Sequence, residues 1–262
     1  MAHEHGEKSP SVWARRAIDL LLADRACEPP TPLDRVPLPG RPGARVWLKD
    51  ESRRPSGTAE HGPARDLLLD ALREGRIDRD TPLFDTAGGG MALAQAYFAR
   101  LLGLDCTAVL PAPPGPAEAR AITRRGGRCR TAASPLAARE LAERVGGHFL
   151  DHRHRLPDAL DWSGPHSLGA EILAEVPSVA WIVMPDGDTT TGVGRHLRQS
   201  CRPGGAGPGA RLAVVERPGA GARTAGEVAD LTLPPAAAGL EGARRVLDHA
   251  GTDGPVVVVL AG

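Results

Sequence analysis

The chain has 262 residues, 41% of them hydrophobic and only 3% aromatic, with 32 Gly and 25 Pro. That is enough apolar material for one large α/β unit or two modest lobes with a core of Ala, Leu and Val. Its 32 basic and 32 acidic residues cancel, which removes the bulk electrostatic argument for nucleic acid or an anionic membrane as a partner.

Residues 1–10, MAHEHGEKSP, lack the apolar core of a signal peptide and read as a flexible terminus. VWARRAIDLLLADRA is an amphipathic helix, followed by a Pro-rich connector and one strand, ARVWLKD. From about residue 81 short apolar or β-branched runs alternate with helical stretches, the pattern of a parallel sheet with crossover helices. The expected strands are TPLFD (81–85), CTAVLP (106–111), RCRTA (128–132), HFLD (148–151), AWIVMP (180–185), RLAVVE (211–216) and PVVVVL (255–260). Several of the intervening helices end at Gly, as a helix stop should. The Gly/Pro-rich runs 202–210 and 216–226 read as surface loops, and DHRH (151–154) as a solvated loop. Cys27, Cys106, Cys129 and Cys201 lack CxxC spacing, and no apolar stretch is long enough to span a bilayer. The expectation is a cytoplasmic protein with reduced thiols.

Five strings stand in a recognisable order: LKDESRRPSGTAEHGPAR (48–65), AQAYFARLLGL (94–104), GGRC (126–129), DW-G (161–164) and TTGVGRHLR (190–198). Together they resemble the cysteine synthase and cysteine desulfhydrase-like enzymes of pyridoxal-phosphate fold type II, the tryptophan synthase beta-like fold. The resemblance implies a two-lobed α/β protein with parallel sheets and crossover helices. It also implies a division in which 11–51 plus 164–262 form a large lobe and 52–163 a small one, with a shortened C-terminal part. A homodimer, or a heterodimer with an active paralogue, is the implied assembly, and a small amino-acid-like molecule the implied ligand.

In that family a lysine forms the Schiff base with the cofactor, and the resemblance places Glu60 at its position. A carboxylate has no nitrogen and cannot form an imine. The family's substrate loop falls on Ala87-Gly88-Gly89-Gly90-Met91, where the hydroxyl and amide side chains are gone but glycine N–H groups leave a weak anion nest. Its phosphate turn falls on Pro185-Asp186-Gly187-Asp188-Thr189. There two carboxylates would face a dianion, at a cost of about 4 kcal/mol per unit pair at ~4 Å and an effective dielectric of ~20. The serine that meets the pyridine nitrogen has no counterpart before the last residue, and Pro234-Pro235-Ala236 replaces a serine-rich turn.

These departures lead to the expectation of a chain that takes no cofactor, with pyridoxal phosphate lost. The candidate ligand-binding residues are Thr58, Gly88, Gly89, Gly90, Asp186, Gly187, Asp188 and Thr189. Glu60 and His61 are the candidate catalytic pair, and no metal site is expected. Two functions follow: a non-catalytic partner or regulatory subunit of an active homologue, or an enzyme repurposed for acid–base elimination, dehydration or hydrolysis without the cofactor, using Glu60.

Overall fold

The structure, a computed structural model, describes residues 11–200, 209–216, 229–251 and 254–260. Residues 1–10, Cys201 and most of both Gly/Pro-rich runs lie outside it. The chain divides into two compact units, Met1–Glu28 with Ala64–Ala159, and Pro29–Pro63 with Leu160–Gly262.

The first unit carries α1 (Val12–Cys27), most of α2 (His61–Arg73), and then β3 (Leu83–Asp85), α3 (Gly89–Leu102), β4 (Cys106–Leu110), α4 (Pro116–Arg124), β5 (Gly127–Thr131), α5 (Pro135–Arg144), β6 (His148–Phe149) and α6 (His152–Ala159). Its sheet has the order β5-β4-β3-β6 with every pair parallel. Ser11 starts α1 by accepting a hydrogen bond from Ala14 N at 3.0 Å, and Gly103 ends α3 in the left-handed region at φ 73°, where a Cβ would be strained.

The second unit carries β1 (Leu33–Leu38), β2 (Arg41–Asp50), a 3₁₀ turn (Glu51–Arg53), α7 (Leu168–Glu175), β7 (Trp181–Pro185), α8 (Asp188–Ser200), β8 (Arg211–Val215), β9 (Leu231–Leu233), α9 (Leu240–Ala250) and β10 (Val256–Leu260). The sheet order is β1-β2-β10-β7-β8-β9, parallel except for the β1–β2 pair. Alternate residues of the central strands feed two cores. Ile182, Met184, Leu212, Val214, Val257 and Val259 pack with Ile172, Val193 and Leu197. Trp181, Val183, Ala213, Val215, Val256 and Val258 pack with Ala243, Val246 and Leu247. A strand covered on both faces has to be apolar throughout, which is why these runs do not alternate with polar residues.

Three expectations are corrected. The boundaries fall at 28/29, 63/64 and 159/160 instead of 51/52 and 163/164, and α1 joins the first unit. Charge pairs hold it there: Arg25 with Asp66, and Arg65 Nη1 with Asp24 at 2.9 Å and Glu28 at 2.7 Å. The Pro-rich connector contains an edge strand, β1, whose register with β2 shifts between Val36 and Leu38, around Pro37. An edge strand with a local irregularity is where a sheet accommodates proline. Finally, DHRH is not a solvated loop. His152 opens α6 and is 5% exposed, while His154 is outward-facing at 80%.

Candidate functional site

Ahead of the loop that carries Glu60 stands a buried ion cluster of the second unit. Arg54 Nε donates to Glu51 Oε2 at 2.9 Å, and its Nη2 donates to both oxygens of Glu171 at 2.9 Å. Thr31 Oγ1 donates to Glu51. Lys49 Nζ lies 3.0 Å from Glu171 Oε2 and donates to Thr31 O at 2.9 Å. These ties fix the backbone at residues 51–54. The chain then turns through Gly57, whose N–H donates to Arg54 O at 2.7 Å and whose φ of 79° suits a residue without Cβ.

The loop that follows is buried although almost wholly polar: Ser56 is 0% exposed, Thr58 1%, Glu60 3% and His61 0%. Thr58 Oγ1 donates to Glu60 Oε2, accepts from Glu60 N at 3.2 Å, and Thr58 O accepts from His61 N at 3.2 Å. Thr189 Oγ1 donates to Ala59 O at 3.1 Å. The second unit thus brings Thr58, Glu60, His61 and Thr189 together. Glu60 stands just outside the helix, one residue before α2 begins. Its carboxylate can accept or give a proton at Oε2 and can do nothing that needs nitrogen.

The turn before α8 is closed on itself. Asp186 N donates to Val215 O at 2.8 Å, Gly187 N to Thr190 Oγ1 at 3.1 Å, and Thr190 Oγ1 to Pro185 O at 3.1 Å. Asp188 is the acidic residue of the first turn of α8, where a negative charge complements the helix dipole.

Gly88, Gly89 and Gly90 belong to the first unit. Gly88 is the N-cap of α3, Gly89 has φ 53°, and Gly89 N donates to Glu118 Oε1 at 3.0 Å. A side chain of the protein itself therefore occupies an amide that an anion would use. Sequence reasoning passed over the neighbouring cluster. The first unit's sheet steps from β3 through β4 to β5 and then returns to place β6 on the other side of β3. Ligands of open α/β sheets bind where the order reverses, at the C-terminal ends of the strands. Asp85 ends β3 there, 1% exposed. Its oxygens accept from Thr86 N at 2.8 Å and Gln95 Nε2 at 2.6 Å, and from His152 N at 3.3 Å; His152 Nδ1 lies 3.0 Å from Oδ1. The signal for it was the acidic residue at a strand end, ahead of three glycines.

Below this cluster His148 Nε2 lies 3.3 Å from Arg76 Nη1. Burial first, then the charges of Arg76, Arg155 and Arg139 against the opposing pull of Asp85, lower its pKa from 6.5 to about 4. The fold holds the neutral ring, so the unfolded chain takes up the proton first as pH falls, and stability present above pH 6.5 is lost on the way down to about 4. His148→Gln is expected to flatten this acid limb of a denaturation midpoint against pH profile, by on the order of 2 kcal/mol after discounting for partial exposure. An unchanged acid limb would contradict it.

The family described as pyridoxal-phosphate dependent enzyme matches residues 25–259. The chain belongs to that family. Among curated family members, it is 34% identical over 201 residues to an L-cysteine desulfhydrase of Mycobacterium tuberculosis, covering 71% of this chain and 55% of the relative. It is 28% identical over 180 residues to an N-(2-amino-2-carboxyethyl)-L-glutamate synthase of Cupriavidus metallidurans, covering 62% and 51%. The chain spans about half the length of these curated relatives. The fold matches the crystal structure of an O-ureido-L-serine synthase with a TM-score of 0.69 at 19% identity, over 94% of this chain and 90% of that one. It also matches a hydrogen sulfide-producing enzyme from Fusobacterium nucleatum with a TM-score of 0.67 at 17% identity, over 98% and 97%. The α/β architecture with parallel sheets is the one expected of pyridoxal-phosphate fold type II.

The family match overturns one expectation. Its members depend on pyridoxal phosphate, and nothing in the match supports a chain without the cofactor; that reading is withdrawn. What the side chains address is narrower. At residue 60 a buried carboxylate bonded to Thr58 offers no amine, so this position does not fit the covalent attachment of an aldehyde. Among the described residues no helix is long and apolar enough to cross a membrane.

Proposed function

We propose that this chain is a cysteine synthase and cysteine desulfhydrase-like family member that has lost the lysine-dependent chemistry and acts in the cytoplasm as a partner or regulatory subunit of an active homologue. The observation that carries this reading is Glu60, 3% exposed and bonded to Thr58, in the motif position of the reactive lysine. Support also comes from what is kept. Both sheets and their packing helices persist, with Phe98, Leu69, Ile172 and Val256 fully buried, so the folded framework is kept while the chemistry at residue 60 has changed. A homodimer, or a heterodimer with the active homologue, is the proposed assembly, with a small amino-acid-like molecule as ligand.

The test is co-expression of the chain with an active desulfhydrase-like homologue from the same organism, followed by co-purification and assay of sulfide release from L-cysteine by each protein alone and together. The expected result is a stable complex and a change in the homologue's rate of about fivefold, the lower end of ordinary coupling between sites. Failure to associate with any such homologue, with no change in rate, would sink the partner role.

A further inference from the structure

The whole chain contains two lysines, Lys8 and Lys49. Lys8 lies outside the described residues, which leaves Lys49 as the one lysine amine among those described. Lys49 stands near the end of β2 and is 0% exposed, one of the largest fully buried side chains among the described residues. Its Nζ meets Thr31 O at 2.9 Å, Glu171 Oε2 at 3.0 Å and Glu175 Oε1 at 3.2 Å. Three acceptors match the three hydrogens of an ammonium.

An ammonium has no lone pair. Before its nitrogen could add to an aldehyde carbon and lose water, Lys49 would have to surrender a proton, leave two carboxylates and a carbonyl, and be reached by the aldehyde at a place closed to solvent. Removing one partner from a buried ion cluster leaves the other charge uncompensated, which costs several kcal/mol. Glu171 is held from its other side by Arg54, so the cluster is braced against such a rearrangement. The remaining basic side chains are arginines, whose guanidinium does not serve as the amine, and nine histidines, whose imidazole is not a primary amine.

We infer that this chain holds pyridoxal phosphate, when it holds it, without a covalent link to any side chain among the described residues, because the lysine among them is a structural cation of the cluster formed with Glu51, Arg54, Glu171 and Glu175. The inference deepens the proposed function and rests on it only for the place of Glu60; the closure of Lys49 stands on its own distances.

The experiment is reductive trapping. The native chain is mixed with an equivalent of pyridoxal phosphate, treated with borohydride, digested and mapped by mass spectrometry for pyridoxyl groups; the same treatment in denaturant shows that the Lys49 peptide can be labelled. The expected result is an unlabelled Lys49 peptide from the native chain and a labelled one from the denatured chain. A near-stoichiometric pyridoxyl group on Lys49 of the native chain would overturn the inference. This leaves the partner role untouched, since that role fails by a different measurement, the homologue's unchanged rate.

Discussion

Replacing Glu60 with lysine, Glu60→Lys, should give the chain a covalent attachment point for pyridoxal phosphate: after borohydride reduction, a pyridoxyl group at residue 60, near stoichiometric, where the native chain has none. The groups around residue 60 allow this. Thr58 Oγ1 now donates to the Glu60 carboxylate, and a hydroxyl can turn to accept from an ammonium instead. Ala59 O is held by Thr189 Oγ1 at 3.1 Å, so the backbone on which residue 60 stands is fixed independently of its side chain. Glu60→Arg is the matched control. It brings the same charge change into the same buried place but has no amine that condenses with an aldehyde, and it should stay unlabelled. A folded Glu60→Lys chain, judged by circular dichroism and an intact unfolding transition, that remains unlabelled would show that residue 60 is not the lysine position.

The largest stability effect is expected at Glu171. This residue, 7% exposed, joins the two halves of the buried cluster: Lys49 lies 3.0 Å from one of its oxygens and Arg54 Nη2 donates to both. Glu171→Ala leaves Lys49 with Glu175 and the Thr31 carbonyl, and Arg54 with Glu51, two buried cations short of a carboxylate. The expected loss is about 3–5 kcal/mol, a large share of the ~5–15 kcal/mol that stabilises an ordinary domain. Denaturant unfolding measures it. Glu241→Ala provides the comparison: its 3.0 Å pair with Arg245 has side chains 43% and 40% exposed, and pairs of that kind contribute up to about 1 kcal/mol. A Glu171→Ala chain as stable as the Glu241→Ala chain would contradict the account of the cluster.

The parallel strands were legible because strands covered on both faces are apolar throughout; Trp181–Pro185 and Val256–Leu260 announce themselves. The unit boundaries were not. The attachment of α1 depends on charge pairs such as Arg25 with Asp66, 41 residues apart, and nothing local in VWARRAIDLLLADRA records them. β1 was hidden by Pro37, a residue that excludes central strands yet suits an irregular edge. DHRH looked solvated since all four of its residues are charged or ionisable, whereas the burial of His152 follows from Asp85, 67 residues earlier.

The candidate site divides in the same way. Glu60 was visible in the sequence because SGTAEHG keeps its motif around a changed residue. Lys49 was not, since a lysine in a strand next to an Asp and a Glu looks like surface. Its partners Glu171 and Glu175 come from a helix 122 and more residues downstream, on the order of the full span of such a lobe. The glycine loop kept its backbone pattern, but that Glu118 sits on Gly89 N is a tertiary fact without a local sign.

The most direct measurement is the arm of the sulfide assay in which the purified chain stands alone, with saturating pyridoxal phosphate and L-cysteine, corrected for the slow reaction of the free cofactor. The account predicts no sulfide beyond that correction. Repeated turnovers per chain would contradict it.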